Sequence, residues 1–169
     1  MNGAPLIVTA ELPSDLKVWA ERLRQEHYPI ARNQVTAHVT LFHALPPSCK
    51  DELCEALAKA AGQIEPVPAR FEGIMSLGRG TALKIASPAM LTLRAELAGR
   101  FRGLLSAQDA PDPRLHVTVQ NKVSEKEARA LQADLARALD PRDFRFSGLA
   151  LHRYRDGPWE FVKRWSFRG

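Results

Sequence analysis

The sequence predicts an α+β fold in which two similar halves form one bilobal body. The first observation is that segments with the apolar period of a strand alternate with segments that have the period of a helix. The second is that this order repeats, because HVTL begins at residue 38 and HVTV begins 78 positions later, at residue 116. Two further landmarks recur after 76 positions: predicted helix caps at 48 and 124, and predicted strand starts at 67 and 143. Such halves would face each other across a pseudo-two-fold axis, where a cleft is expected.

The first half is predicted to form three strands and two helices. Apolar and β-branched runs predict strands at 5–10, 35–44 and 67–77. Apolar residues at i, i+3, i+4 and i+7 predict an amphipathic helix over 14–26, and they are Leu16, Trp19, Ala20 and Leu23. Ser48 and Asp51 have the spacing of a capping box and predict a second helix to about residue 62. The side chains that this second helix is expected to bury are Leu53, Leu57 and Ala60.

The second half is predicted to repeat this order after a turn at Gly78-Arg79-Gly80. Ser87 and Pro88 predict a helix start, with the serine as cap and the proline in the first turn, and Ser124 with Glu127 predicts another. The apolar faces of these helices are Leu93, Leu97, Phe101 and Leu104 in the first and Ala128, Leu131, Leu135 and Ala138 in the second. Strands are predicted at 81–86, 114–121, 143–153 and 159–167, the last two joined by a turn at 156–158. No Pro- or Ser-rich linker separates the halves, so we expect residues 1–169 to form a single bilobal domain.

The composition indicates which kinds of binding partner and which cellular compartment to expect. With 45% hydrophobic and 25% charged residues, the chain has the composition of an ordinary globular protein. A net charge of +5 favours anionic partners such as phosphates or RNA. Cys49 and Cys54 would project to different sides of one helix, so no disulfide is expected. The N-terminal residues and the absence of a long apolar run lead us to expect neither a signal peptide nor a membrane span. We expect a cytoplasmic protein, monomeric and without membrane contact.

The repeated His-x-Thr triplet is the candidate site. Because side chains alternate along a strand, His38, Thr40 and Phe42 are predicted to share one face, and His116, Thr118 and Gln120 the corresponding face of the second copy. The intervening aliphatic residues would pack on the helices: Val39 and Leu41 in the first copy, and Leu115, Val117 and Val119 in the second. The two His/Thr faces would therefore meet across the cleft, with imidazole and hydroxyl about 7 Å apart along each strand.

Two histidines and two threonines suit phosphodiester chemistry. One histidine can act as the base for the attacking hydroxyl or water and the other as the acid for the leaving oxygen, since the pKa of imidazole lies near neutrality. Threonine hydroxyls can hold the non-bridging oxygens as negative charge builds. Neither His38 nor His116 has an Asp, Glu or third His at ligand spacing, so no metal and no other cofactor is expected.

The remaining histidines are expected to have structural roles. A single HxT in a strand is more often a satisfied structural histidine beside a β-favouring threonine, and only the second copy makes the pattern informative. His43 is predicted to lie with the aliphatic residues of its strand or at the strand end. His27 follows a helix, where a cation suits the C-terminal dipole. His152 lies in an arginine-rich stretch at the surface or at the rim of the cleft.

The paired motifs HVTL (38–41) and HVTV (116–119), in a duplicated α+β chain of this length, resemble the 2H phosphoesterase superfamily. Its members include 2′-5′ RNA ligase-like proteins and RNA 2′,3′-cyclic phosphodiesterases. The stretches TLFHALP and HVTVQNKV also resemble a bacterial 2′-5′ RNA ligase-like branch. The resemblance implies two antiparallel β-sheets around a central cleft with helices on the outside. It also implies catalytic roles for His38 and His116, and phosphate binding by Thr40 and Thr118.

Several functions stay open at this point. The resemblance implies a metal-independent phosphodiesterase for 2′,3′-cyclic phosphates or 2′-5′ linkages of RNA or nucleotides, with reversible 2′-5′ ligation as a further activity. A phosphodiesterase for a small nucleotide-derived metabolite, or a non-catalytic RNA- or nucleotide-binding module, would use the same residues. Further residues are candidates for substrate contact and equally for plain packing or surface positions: Phe42, Gln120, Lys122, Arg155 and Trp159.

Overall fold

The computed structural model describes residues 3–169 and contains two four-stranded antiparallel sheets and four helices over that range. The strands are β1 (Leu6–Glu11), β2 (Val39–Leu45), β3 (Val67–Ser76), β4 (Thr81–Ala86), β5 (His116–Gln120), β6 (Arg142–Phe146), β7 (Gly148–Tyr154) and β8 (Trp159–Ser166). The helices are α1 (Ser14–His27), α2 (Lys50–Gln63), α3 (Pro88–Arg100) and α4 (Glu125–Ala138). The predicted fold class, α+β with two antiparallel sheets, is confirmed.

Each sheet is assembled from both halves of the sequence. The first sheet has the order β2-β1-β7-β8 and the second has the order β5-β4-β3-β6. Strand β3 of the first half pairs with β4 of the second half, and β7 of the second half pairs with β1 of the first. The two HxT strands, β2 and β5, occupy corresponding edges of the two sheets and contact each other. The duplicated order therefore places both motifs at the junction of the sheets.

The prediction of a single strand at 143–153 is wrong, because the chain passes from one sheet to the other within this range. Strand β6 pairs with β3 in the second sheet and β7 pairs with β1 in the first. Gly148 stands at the crossing, where a Cβ atom would lie 2.3 Å from the carbonyl oxygen of Trp165. Only a residue without a side chain permits that approach.

Two of the three predicted serine caps are present. The Ser87 hydroxyl accepts from the Met90 amide at 3.2 Å, and the Ser124 hydroxyl accepts from the Glu127 amide at 3.1 Å. The prediction for Ser48 is wrong. Ser48 lies inside the 3₁₀ turn Pro47–Cys49, and α2 begins after it at Lys50 without a side-chain cap. A proline at the start of that turn is preorganised for helical geometry, and it moves the start of α2 beyond the serine.

Helix α3 ends at Arg100, earlier than its apolar pattern predicts. Leu104 belongs to the following 3₁₀ turn, Arg102–Leu104, and is 44% exposed, so its predicted place in the helix face is wrong. Leu93, Leu97 and Phe101 are buried as predicted.

One hydrophobic cluster contains residues of both sheets and of the helices that cover them. Helix α2 packs on β7 and β8, α3 on β3, and α4 on β3 and β4. Cys49 and Cys54 are both free, as predicted. Among the residues described, no helix is long and apolar enough to cross a membrane.

Candidate active site

Each HxT strand carries a β-bulge directly after its threonine. In the first sheet Thr9 pairs with Thr40 and the next pair joins Val8 to Phe42, which leaves Leu41 as the extra residue. In the second sheet Ala82 pairs with Thr118 and the next pair joins Thr81 to Gln120, which leaves Val119 extra. An extra residue reverses the alternation of side chains beyond it. The bulge recurs at the same position of both copies, so it belongs to the duplicated pattern.

The bulges correct the predicted positions of Phe42 and Gln120. Phe42 is fully buried, with the Arg94 guanidinium 4.2 Å from its ring centroid. Gln120 is also buried, and its side-chain carbonyl accepts from the Thr81 hydroxyl at 2.9 Å. The prediction that both share the cleft face with the motif residues is wrong, because each lies beyond a bulge and points into the core.

The same reversal corrects the predicted position of His43. Its side chain lines a cavity of about 340 Å³ together with Thr40 and His116, rather than lying with the aliphatic residues. Its Nδ1 atom is 3.0 Å from a carboxylate oxygen of Asp109, which is buried. The duplicated position, 78 residues later, is Asn121, which lines the other main cavity of the cleft.

The four motif residues divide between two neighbouring cavities. His38 and Thr118 line a cavity of about 540 Å³, and Thr40 and His116 line the one of about 340 Å³. Each histidine thus shares a cavity with the threonine of the other motif, as a pseudo-two-fold relation between two contacting strands requires. The rings are near enough for the charge of His116 to lower the pKa of His38.

The two motif histidines are held in the same way. Nδ1 of His38 lies 2.7 Å from the carbonyl of Thr36, and Nδ1 of His116 lies 2.6 Å from the carbonyl of Arg114, in both cases two residues earlier. A carbonyl only accepts, so Nδ1 carries the hydrogen in each neutral ring. The Nε2 atoms are therefore left to exchange protons with a bound molecule.

Burial favours the neutral form of both motif histidines. It lowers the pKa of His38 to about 4, an effect that the Thr36 carbonyl opposes and the Arg24 charge reinforces. Burial also lowers the pKa of His116, which the Arg114 carbonyl opposes. Trp159 covers His38, with the ring centroids 4.4 Å apart. A bound anion would favour the imidazolium forms and raise both pKa values.

These pKa shifts predict a titration that NMR can follow. In the free protein the His38 ring should take up its proton only near pH 4, and inorganic phosphate should move the midpoints of His38 and His116 upward. Trp159→Ala should also move the His38 midpoint toward its ordinary value, about 6.5, since water then reaches the ring. Trp165→Phe, on the same strand but outside both cavities, is the matched control. An unchanged His38 midpoint in Trp159→Ala would contradict the burial argument.

The other residues that the sequence placed at or near the substrate do not all lie in the cleft. Trp159 lines the larger cavity, and so does Lys122, whose backbone has the positive φ of 61°. Arg155 instead pairs with Glu160 and is not among the described residues that line either cavity. His152 lines an adjoining cavity of about 290 Å³ with His38, which places it at the rim of the cleft.

Sequence reasoning missed most of the larger cavity wall: Arg24, Tyr28, Ala31, Arg32, Gln34, Val35, Asn121, Tyr154 and Gly157. The 78-residue offset from His43 could have found Asn121. The others come from α1, the loop that follows it and the β7–β8 turn, and no local pattern marks them.

Two buried arginines connect the helices to the motif strands in a crossed arrangement. Arg24 of α1 donates to the carbonyl of Thr118 in β5 at 2.7 Å. Arg94 of α3 donates to the carbonyl of Leu41 in β2 at 3.0 Å. Each guanidinium therefore holds a motif strand at or beside its bulge. Between residues 3 and 169, no group of three His, Cys, Asp or Glu side chains is placed to hold a metal ion.

Comparisons with known proteins agree with this architecture. The TT0787 protein of Thermus thermophilus superposes with a TM-score of 0.67 at 18% identity, over 98% of both chains. E. coli LigT, in a crystal structure with 3′-AMP, superposes with a TM-score of 0.64 at 17% identity, over 98% of this chain and 99% of LigT. A protein described as a phosphoesterase gives 0.63 at 16% identity, over 99% of each chain. At these identities the likeness shows a shared fold.

Sequence comparisons give the family. No curated protein sequence matches the chain. The sequence profile of the 2′-5′ RNA ligase superfamily, however, matches residues 12–158, most of its length. This chain belongs to the 2′-5′ RNA ligase superfamily.

Proposed function

We propose that this protein is a metal-independent phosphodiesterase that hydrolyses 2′,3′-cyclic phosphates or 2′-5′ phosphodiester bonds of RNA or nucleotides. The observation that carries the proposal is the matched pair of imidazoles, His38 and His116. Each is held through Nδ1 by the carbonyl two residues earlier, and each shares a cavity with the threonine of the other motif. E. coli LigT, which shares the fold, was crystallised with 3′-AMP, and this supports a nucleotide substrate here.

The chemistry follows from two free Nε2 atoms on either side of one phosphate. One neutral histidine takes the proton from the attacking water as the new P–O bond forms. The other histidine, protonated at Nε2 once the bound phosphate has raised its pKa, gives that proton to the ribose oxygen as the old P–O bond breaks, so that one proton enters and one leaves the pair. The hydroxyls of Thr40 and Thr118 donate to the non-bridging oxygens, where negative charge builds. If the 5′-hydroxyl of a second RNA replaces water, it attacks the 2′,3′-cyclic phosphate and the 3′-oxygen leaves with a proton, which is a 2′-5′ ligation.

The surroundings of the larger cavity suit a nucleotide. Arg32 and Lys122 line it and can attract the phosphate charge. Trp159, Tyr28 and Tyr154 also line it and offer flat surfaces for a base or a ribose. We also propose that residues 1–169 work as one bilobal unit, because each sheet needs strands from both halves.

The proposal predicts turnover of specific ester linkages without added metal. The substrates are an oligoribonucleotide ending in a 2′,3′-cyclic phosphate, a 2′-5′-linked dinucleotide, and its 3′-5′-linked isomer as the matched control. We expect the first two to be cleaved, in EDTA as well as without it, with products identified by ³¹P NMR. Mixing an RNA that ends in a cyclic phosphate with one that has a free 5′-hydroxyl tests ligation. Absence of turnover on every substrate, or activity that requires a metal, would contradict the proposal.

A second candidate is a phosphodiesterase for a small nucleotide-derived metabolite. The size of the larger cavity, about 540 Å³, favours it, because this volume suits a single small ligand. Cyclic mononucleotides would then be better substrates than oligonucleotides with the same end. A non-catalytic RNA-binding module would instead show a salt-sensitive affinity for RNA and no turnover.

A further inference from the structure

The fifth residue after each motif histidine occupies an equivalent place in the cleft. His43 and Asn121 are 78 positions apart, and each follows the bulge of its strand. His43 lines the cavity of Thr40 and His116, whereas Asn121 lines the cavity of His38 and Thr118. The duplication therefore places a third polar side chain beside each His/Thr pair. Of these two side chains, only His43, which lies beside His116, can carry a positive charge.

Asp109 fixes the orientation of His43. One carboxylate accepts the backbone amides of His43 and Ala44, at 2.8 Å and 2.9 Å, and lies 3.0 Å from Nδ1 of the ring. Asp109 is 1% exposed. Burial raises the pKa of its carboxyl, but the hydrogen bonds from His43 and Ala44 outweigh this and lower it below the ordinary value. An ionised carboxylate only accepts, so Nδ1 of His43 carries a hydrogen and Nε2 is left without this partner.

A purely structural role for His43 does not account for its position. The backbone amides of residues 43 and 44 already anchor Asp109 to β2. The imidazole adds a third bond, and its side chain remains 37% exposed in the cavity that holds His116. The charge of His43 is also near enough to lower the pKa of His116. The other ionisable groups that line this cavity are Arg94, Arg114, Asp109 and Asp112.

We propose that His43 is a third phosphate-binding imidazole, which donates from Nε2 to a non-bridging oxygen of the reacting phosphate on the His116 side. Asp109 is the residue that positions it and the counter-ion of its protonated ring. The two sides of the phosphate then differ, with an imidazole beside His116 and a neutral amide, Asn121, beside His38. This inference rests on the proposed function, because it takes the phosphate to lie between the two motifs.

Binding of inorganic phosphate tests the inference without turnover. We expect ring signals of His38, His43 and His116 to shift together in an NMR titration of the wild-type protein with phosphate. His43→Asn, which copies the amide of Asn121, should weaken phosphate binding in calorimetry by about ten- to a hundredfold, as expected for the loss of a hydrogen bond to a charged group. His43→Gln, an amide with a longer side chain, is the second variant if His43→Asn folds poorly. His27→Asn, at the end of α1 beside Glu26, is the matched control and should bind like the wild type.

The positioning role of Asp109 has its own readout. Asp109→Asn preserves the size of the side chain but removes its charge, so it should weaken phosphate binding and change the pH dependence of that binding. In turnover assays His43→Asn and Asp109→Asn should both have a higher KM for the diester than the wild type.

Two outcomes separate this inference from the proposed function. A His43 signal that does not move while those of His38 and His116 do, together with unchanged phosphate affinity in His43→Asn, would overturn the inference alone. Signals of His38 and His116 that are insensitive to phosphate would overturn both.

Discussion

Replacing either His38 or His116 by alanine is expected to lower kcat for the diester by about 10²–10⁴-fold, the usual contribution of one general acid or base. Each substitution removes one of the two Nε2 atoms that exchange protons with the attacking and leaving oxygens. The effects of the two substitutions should not multiply, because neither histidine can complete the reaction without the other. The measurement is kcat at saturating substrate, with the melting temperature of each variant as the check on folding.

The matched control is His27→Ala. His27 ends α1 and pairs with Glu26, outside the residues that line the cleft, so its loss should leave kcat unchanged. Full activity in either His38→Ala or His116→Ala would contradict the two-histidine mechanism, whatever the other variant shows.

Arg94→Met should give a large loss of stability. Arg94 is 1% exposed, and its guanidinium donates to the carbonyls of Leu41 and Asp109. Methionine fills part of the space but donates nothing, so two carbonyls lose their donor. At about 1–3 kcal/mol for each unsatisfied group, the free energy of unfolding should fall by about 2–6 kcal/mol. This is a large part of the roughly 5–15 kcal/mol typical of such proteins.

Urea unfolding measures this change, and Arg100→Met is the control. Arg100 is an exposed residue of the same helix, and its replacement should alter the unfolding free energy by no more than about 0.5 kcal/mol. A loss in Arg94→Met as small as in Arg100→Met would show that the guanidinium does not hold the bulge of β2. The activity of Arg94→Met should also fall below that of the control, because Leu41 directly follows Thr40 and Asp109 orients His43.

The sequence contains what is needed to predict the elements and their repeated order. Helix α1 follows its apolar period, and the serine caps of α3 and α4 lie where their local patterns place them. These features depend on interactions within a few residues, which a single segment specifies by itself. The paired HxT motifs are likewise visible because both copies are short and keep the same offset.

The errors about which side chains of β2 and β5 face the cleft have a common physical cause in strand pairing. Period-two alternation assumes a regular ladder, and the ladders of β2 and β5 skip Leu41 and Val119. A bulge exists only relative to the neighbouring strand, so the residues of β2 alone do not reveal it. Because of this one register shift, His43 faces the cleft and Phe42 does not.

The sequence by itself determined the fold class, most of the elements and the two histidine–threonine pairs as a hypothesis. The tertiary structure alone decided which other side chains accompany them. Asp109 reaches His43 across 66 positions of sequence, and Arg24 reaches Thr118 across 94. Contacts between such distant residues depend on how the two sheets pack. Local sequence patterns do not specify that packing.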